Sequence, residues 1–210
     1  SSAVVTYNKN TLRNVKTAFV RDGLFSIDWN LVDTWNQYLK GARAKTNIHL
    51  KITMPGYYKK IQLGEAIPPT NNGSNPVWVP VLRVPGQGIT TYVSVIEPYD
   101  TNSKITSVEF LPVWNGKKKV DSSVVKAVRV KLVNGRTDYI VSSLDKNITY
   151  QIANKFKFRG FFCVYSENKD GHVIRKYIND GTLLDGKTYP DRITGRVVGA
   201  TKVLSDTNYI

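Results

Sequence analysis

The stretch that decides the fold is VVKAVRVKLVNGRTDYIVSSL, residues 124–144. Period-two alternation divides the side chains of its first half between the two faces of an extended strand. One face carries Val124, Lys126, Val128, Val130 and Leu132, and the other carries Val125, Ala127, Arg129, Lys131 and Val133. Asn134 and Gly135 then separate this run from a second one, and both residues tolerate positive φ. The stretch therefore predicts an antiparallel β-hairpin.

A second hairpin is predicted by FKFRGFFCVYSENKDGHVIRKYI, residues 156–178, where Asp170 and Gly171 supply the turn. The segment NIHLKITM, residues 47–54, shows the same alternation. Short strands separated by turn signals at this spacing are typical of a sandwich of antiparallel sheets. We therefore expect an all-β antiparallel β-sandwich with few or no helices, forming a single domain over residues 1–210.

Three segments are read less directly. Residues 28–42, DWNLVDTWNQYLKGA, fit either a short helix or a strand followed by a loop. Residues 66–80 are rich in Pro, Asn and Gly, which predicts a loop. A last pair of short strands is expected around residues 196–204.

The stretch TYVSVIEPYD, residues 91–100, combines an apolar run with an abrupt polar end. Its first half predicts a buried strand. Glu97, Pro98 and Tyr99 then fit either the end of a core strand or a lip that contacts sugar. The strand end is favoured because Pro98 cannot donate to a ladder and would end the pairing.

Charge is the strongest compositional feature, because 30 Lys and Arg outnumber 16 Asp and Glu and give a formal net charge of +14. Such a field favours a polyanionic partner, which could be nucleic acid, acidic polysaccharide or an anionic membrane. No run of about 18 apolar residues exists, so no membrane span is expected. No signal peptide is visible, and the start SSAVV without Met indicates a processed or excised chain.

Motifs for catalysis or metal binding are sparse. The two histidines, His49 and His172, have no spacing typical of a metal site, so no metal and no cofactor are expected. The sequence has no P-loop, no GxGxxG and no nucleophile elbow. It also has no RNP or OB signature, which makes nucleic acid an unlikely partner. The single cysteine, Cys163, excludes an internal disulfide and is expected to be a buried, inert thiol.

Basic side chains recur at positions that could share a sheet surface. Arginine binds carboxylate and sulfate groups through its bidentate fork. The alternative is a solvated face whose lysines protect strand edges from aggregation. The residues predicted to contact an anionic ligand are Lys117, Lys118, Lys119, Arg129, Lys157, Arg159 and Arg175.

A set of ordered segments resembles the C-terminal β-sandwich region of heparinase II/III-type polysaccharide lyases. The segments are TYVSVIEPYD (91–100), AVRVKLVNGRTDYI (127–140), FRGFFCVYSENKDG (158–171) and GTLL (181–184), with IDW (27–29) and GEAIPP (64–69) upstream. Their order is kept from about residue 28 to residue 184, which is most of the chain.

The resemblance implies a fold, a partner and an activity. Such lyases cleave uronic-acid-containing polysaccharides by β-elimination, with catalytic residues mainly in an upstream helical toroid. Because this chain shows no such toroid, no catalytic residue is carried over onto it. The implied function is that of a C-terminal module, secreted or periplasmic, that supports an upstream α-helical catalytic domain and contacts an acidic polysaccharide. The alternatives are a stand-alone carbohydrate-binding module and a nucleic-acid-binding β-domain.

Overall fold

A computed structural model describes residues 5–7, 10–20, 23–31, 47–56, 60–67, 78–86, 88 and 90–190. Every regular element in these ranges is a β-strand. The strands are β1 (Val5–Tyr7), β2 (Asn10–Phe19), β3 (Leu24–Asn30), β4 (Ile48–Pro55), β5 (Lys60–Ala66), β6 (Val79–Arg83), β7 (Val95–Asp100), β8 (Ile105–Phe110), β9 (Val113–Asn115), β10 (Lys118–Lys119), β11 (Val125–Leu132), β12 (Thr137–Ser143), β13 (Tyr150–Ile152), β14 (Phe156–Glu167), β15 (Val173–Leu184) and β16 (Lys187–Thr188).

Both predicted hairpins form. Strands β11 and β12 pair antiparallel from Val125 opposite Ser143 to Lys131 opposite Thr137, and Gly135 in the turn has a φ of 84°. A positive φ is nearly free for glycine because it has no Cβ. Strands β14 and β15 form the second hairpin, with Gly171 at a φ of 80°.

The largest sheet has nine strands and rolls up on itself. Its path is β10-β9-β13-β14-β12-β11-β8, with β15 paired to β14 and β16 paired to β15. Strands β8 and β9 are consecutive in sequence, yet β8 ends the path and β9 lies next to its other end. Leu111 and Pro112 connect them, and their backbones hydrogen-bond Ala127 and Ala153, respectively. The sheet therefore closes around an interior.

That interior holds the main hydrophobic core. Phe156 stacks on Tyr165 with ring centroids 4.6 Å apart, and Tyr139 meets both rings edge-on. Cys163 is buried here as predicted, and burial raises the pKa of its thiol to about 12. The buried members are Val113, Val125, Ala127, Tyr139, Val141, Tyr150, Ile152, Phe156, Phe158, Cys163, Tyr165 and Leu184.

Two smaller sheets complete the layers. The sheet β3-β4-β7 packs on the rolled sheet through a cluster of Val108, Val128 and Val130, to which Val95 of β7 adds contact. Its other face shares a second core with the sheet β1-β2-β5-β6, built on Phe25, Ile27, Met54 and Ile61. Antiparallel sheets stacked in this way confirm the predicted all-β, sandwich-type fold.

Burial on both faces of β11 follows from this layering. Val125 and Ala127 enter the main core, whereas Val128 and Val130 on the opposite face meet the sheet β3-β4-β7. A strand covered on both sides keeps apolar residues at odd and even positions. This accounts for the nearly continuous valine pattern of the sequence.

The prediction for residues 91–100 was wrong in one respect. The pairing of β7 with β4 continues through Pro98, opposite Leu50, to Asp100, opposite Ile48. Strand β7 is an edge of its sheet, where proline is tolerated because its nitrogen can face away from the neighbouring strand. The apolar half is also more open than predicted, because Tyr92 and Ile96 are exposed.

Residues 28–30 lie in β3, which agrees with the strand reading of the segment 28–42. The rest of that segment lies outside the described residues. The predicted strand pair at 196–204 and most of the predicted loop at 66–80 also lie outside them, although Ala66 ends β5 and Val79 begins β6. The single-domain prediction stays a prediction.

Candidate functional site

A row of side chains crosses four strands on the outside of the rolled sheet. Lys119 of β10 pairs with Trp114 of β9, which pairs with Gln151 of β13, which pairs with Lys157 of β14. Directly paired residues of antiparallel strands project to the same face. Trp114 follows the buried Val113, so the row points away from the core.

Arg159 extends this row along β14. It lies two residues beyond Lys157, on the same side of the strand and about 7 Å away. Its Nε donates to Thr182 Oγ1 at 2.6 Å, which fixes the guanidinium against β15. Lys119 and Lys157 are three strand spacings apart, about 14 Å. We call Trp114, Lys119, Lys157 and Arg159 the basic surface.

An open groove adjoins the basic surface. It has a volume of about 1080 Å³, and Lys118, Lys119 and Lys126 line it together with Asn115 and the start of β11. Lys126 Nζ lies 4.3 Å from the centroid of the Phe110 ring, and partial burial lowers the pKa of this lysine. The groove therefore places lysine side chains beside the aromatic ring of Phe110.

The other predicted contacts do not join the basic surface. Lys117 is exposed in the turn between β9 and β10. Arg175 is exposed on β15 opposite Ser166, seven residues along β14 from Arg159 and therefore about 20 Å away. The residues predicted to contact an anionic ligand therefore lie at more than one place on the surface.

Arg129, another predicted contact residue, is only partly buried, and it lies apart from the basic surface. It alternates with Val125 and Ala127, so it lies on the side of β11 that carries the main core. Its Nη2 lies 2.7 Å from Glu109 Oε1, and this hydrogen-bonded ion pair raises the pKa of the guanidinium. The Arg129 side chain is 30% exposed and that of Glu109 is 43% exposed, so the pair is partly solvated, and Glu109 balances the charge of Arg129.

The sheet β3-β4-β7 carries a second group of polar side chains, at the end away from its buried cluster. His49 Nδ1 lies 3.0 Å from Asp28 Oδ1, and the hydroxyl of Tyr99 donates to Asp28 Oδ2. The amide of Asn30 lies 3.2 Å from His49 Nε2. The rings of His49 and Tyr99 stack with centroids 4.9 Å apart. We call Asp28, Asn30, His49 and Tyr99 the polar cluster.

The hydrogen bonds of the polar cluster set its charges. The Tyr99 hydroxyl lowers the pKa of Asp28, so this carboxyl is ionised at neutral pH. The same bond raises the pKa of Tyr99 to about 12, so its phenol keeps its proton. With the Asn30 amide donating to Nε2, His49 carries its proton on Nδ1 and donates it to Asp28. The cluster therefore presents fixed donors and acceptors.

Sequence reasoning missed the polar cluster. It placed His49 in the middle of a strand, but it did not relate that residue to Asp28 or Tyr99. The alternation of polar and apolar residues was the available signal, because it indicates that Asp28, His49 and Tyr99 each project from a strand next to an apolar residue. Which strands become neighbours was not available, because Asp28 and Tyr99 are 71 positions apart.

Glu97 has a structural role beside the cluster. The side chain is buried, and it accepts hydrogen bonds from the backbone N–H groups of Lys104 and Ile105 and from the hydroxyl of Ser103. These bonds hold the connection from β7 to β8. Of the residues proposed as a sugar-contacting lip, Tyr99 is the one that joins the polar cluster.

The described residues contain neither a group of metal ligands nor a membrane-spanning helix. Within the described ranges, no three His, Cys, Asp or Glu side chains are grouped as metal ligands. In the same part of the chain, no helix is long and apolar enough to cross a membrane.

The antiparallel fold and the cations around an outward-facing tryptophan define a β module with one basic surface. Comparison with known families is more specific. Residues 114–194 match the model of the endo-acting ulvan lyase C-terminal domain. The match begins at Trp114, includes the whole basic surface, and covers less than half of the 210 residues. No curated protein and no solved structure was found to match the chain.

The predicted resemblance to the C-terminal region of a polysaccharide lyase is thus confirmed for residues 114–194 at the level of that class. The heparinase II/III type within that class stays a prediction. The polar cluster lies upstream of the matched residues.

Proposed function

We propose that this protein is the C-terminal β module of a polysaccharide lyase that cleaves an acidic, uronic-acid-containing polysaccharide by β-elimination. The observation that carries the proposal is the match of residues 114–194 to the C-terminal domain of an ulvan lyase. In this proposal the module supports an upstream α-helical catalytic domain and contacts the polysaccharide itself. It acts outside the cytoplasm, secreted or in the periplasm, where such polymers are met.

Charge supports an acidic rather than a neutral polymer. The formal net charge is +14, and the matched segment contributes the three cations of the basic surface. Lys119 and Lys157 are exposed, and the described residues include no carboxylate within ion-pair distance of either. Exposed cations of this kind attract a polyanion and raise its local concentration.

Trp114 supports binding of a sugar polymer on the same surface. It lies between Lys119 and Gln151 in the cross-strand row and points outward. An aromatic face offers apolar contact to the C–H groups of a pyranose ring, while Lys119 and Lys157 reach charged substituents on either side. A chain lying along the row would therefore meet a cation, an aromatic ring, an amide and a second cation in turn.

The proposal is tested by binding to a panel of ulvan, heparin, hyaluronate and alginate, followed by titration calorimetry at two ionic strengths. The variant is Lys119→Glu with Lys157→Glu, and the matched control is Lys131→Glu with Lys169→Glu, which makes the same charge change at exposed positions elsewhere. We expect the variant to lose at least about tenfold in affinity at low salt, and the control to lose much less. Affinity should fall with salt because the contacts are ionic.

Two outcomes would contradict the proposal. One is that the chain binds none of the acidic polysaccharides at low salt. The other is that single-stranded nucleic acid of similar charge density binds more tightly than every polysaccharide, which would indicate a nucleic-acid-binding β-domain. In parallel, ultraviolet absorbance of unsaturated uronate is expected to stay flat for this chain alone, because its proposed role is binding and support.

A further inference from the structure

The polar cluster of Asp28, Asn30, His49 and Tyr99 has features of a ligand site rather than of a stabilising contact. Its side chains come from three strands and converge on a partly exposed surface, with Asp28 37% and His49 28% exposed. Exposed hydrogen bonds add little to stability, because water competes for the same groups. We propose that the cluster binds adjacent hydroxyl groups of an uncharged sugar residue, within the polysaccharide that the proposed function assigns to the protein.

The polar cluster is preorganised for binding. Asp28 is held by two donors, the Tyr99 hydroxyl and the Nδ1–H of His49. His49 is held by Asp28 and Asn30 and by stacking on Tyr99. Each side chain therefore has its rotamer fixed before a ligand arrives. Binding to fixed groups avoids the entropic cost of ordering them, which otherwise reduces affinity.

The side chains of the polar cluster also keep hydrogen-bonding capacity for a ligand. An ionised carboxylate offers about four acceptor positions, and the contacts described for Asp28 use two of them. Asn30 keeps its carbonyl and one amide hydrogen, and the Tyr99 oxygen keeps its lone pairs. A sugar hydroxyl can both donate and accept a hydrogen bond. Two neighbouring hydroxyls could therefore donate to the Asp28 carboxylate and accept from the Asn30 amide.

Charge decides which part of the polymer fits. Asp28 is ionised, and Lys51 lies directly opposite it in the register, with the buried Glu97 opposite Lys51 on the other side. The three charges give no local positive excess. A carboxylate or sulfate group would be repelled by Asp28, whereas an uncharged diol would not. The cluster therefore complements the basic surface, which takes the charged groups.

The experiment separates this inference from the proposed function through charge. Asp28→Asn removes a negative charge, so general electrostatics predict tighter binding of a polyanion. The hydroxyl-binding account predicts weaker binding, by about tenfold, because a carboxylate acceptor is lost. Tyr99→Phe keeps the stacking on His49 but frees Asp28 from its donor, and should weaken binding by about threefold. Tyr177→Phe, at an exposed tyrosine on β15, is the matched control.

Affinity for the best-bound acidic polysaccharide is measured at several salt concentrations for each variant. We expect Asp28→Asn to weaken binding while the slope of log affinity against log salt stays at its wild-type value. The Lys119→Glu, Lys157→Glu variant should reduce that slope. Binding of Asp28→Asn and Tyr99→Phe that equals or exceeds wild type would overturn the inference and leave the proposed function standing. Absence of binding by the wild-type chain would instead overturn the proposed function. Far-ultraviolet circular dichroism confirms that each variant is folded.

Discussion

Tyr150 offers the sharpest test of the fold, because replacing it with phenylalanine should stabilise the protein. The side chain is fully buried in the main core, opposite Phe158 in the register of β13 and β14. Its hydroxyl has no hydrogen-bond partner in the described part of the chain. A buried, unpaired polar group costs about 1–3 kcal/mol of desolvation. Removing the oxygen abolishes that cost and leaves the ring contacts of Tyr150 in place.

We expect Tyr150→Phe to raise the free energy of unfolding by about 1–2 kcal/mol. In a protein of this size, that corresponds to about 2–4 °C in Tm for each kcal/mol. The matched comparison is Tyr139→Phe in the same core, because the Tyr139 hydroxyl donates to Glu167 Oε2 at 3.3 Å. This second variant should be destabilised by about 1–2 kcal/mol.

Urea denaturation of the two variants, followed by circular dichroism, gives both free energies. Opposite signs for Tyr150→Phe and Tyr139→Phe are the predicted result. A Tyr150→Phe variant that is less stable than wild type would contradict this prediction, since the Tyr150 hydroxyl would then have a stabilising partner.

Three further predictions concern backbone contact, a buried carboxylate and pH. Gly181→Ala should destabilise the β14–β15 hairpin by about 2 kcal/mol, because the new Cβ would lie 2.8 Å from Gly160 Cα. Urea denaturation should show this as a lower midpoint. An unchanged midpoint would mean that the strands are further apart. Glu97→Gln should lower the free energy of unfolding by about 1–2 kcal/mol, because the Glu97 carboxylate accepts a hydrogen bond from the N–H of Ile105 at 3.1 Å. Thermal denaturation measures this loss. An unchanged stability would show that Glu97 has no structural role. The lowered pKa of Asp28 stabilises the folded state above the unfolded pKa of about 3.9, and this contribution is lost as pH falls through the folded pKa. The stability difference between wild type and Asp28→Asn, which is small because these bonds are partly exposed, should therefore vanish in urea denaturation at acid pH, and a difference independent of pH would contradict it.

Local signals made the hairpins predictable. Asn134 and Gly135 fix a turn through their own conformational preferences, and the alternation on either side fixes which residues pair. The same holds for Asp170 and Gly171. Both hairpins therefore follow from short stretches of sequence, without knowledge of what packs on them.

Long-range neighbours were not predictable in the same way. The ion pair of Arg129 with Glu109 forms because β8 lies beside β11, which the alternation alone does not reveal. Pro98 looks like a strand end, yet it is accommodated because β7 is an edge strand. Both features arise from strand order, which depends on the whole chain rather than on the residues beside each position.

The basic surface shows the same division between local and long-range information. The alternation of Lys157 and Arg159 was visible, and so was the lysine run at 117–119. That Lys119 and Lys157 share one row depends on β9 and β13 lying between them, which closure of the rolled sheet brings about. Trp114 enters the site only through this row.

Polysaccharide binding at the basic surface is tested most directly by a nuclear magnetic resonance titration of the chain with oligosaccharides of the best-bound acidic polysaccharide. Chemical shifts locate the contact surface at residue level. We expect saturable shifts at the indole N–H of Trp114 and at the backbone amides of Lys119 and Lys157, and these shifts should weaken as salt is raised. Saturable shifts that avoid β9, β10 and β14, or no shifts at any ratio of ligand to protein, would contradict this expectation.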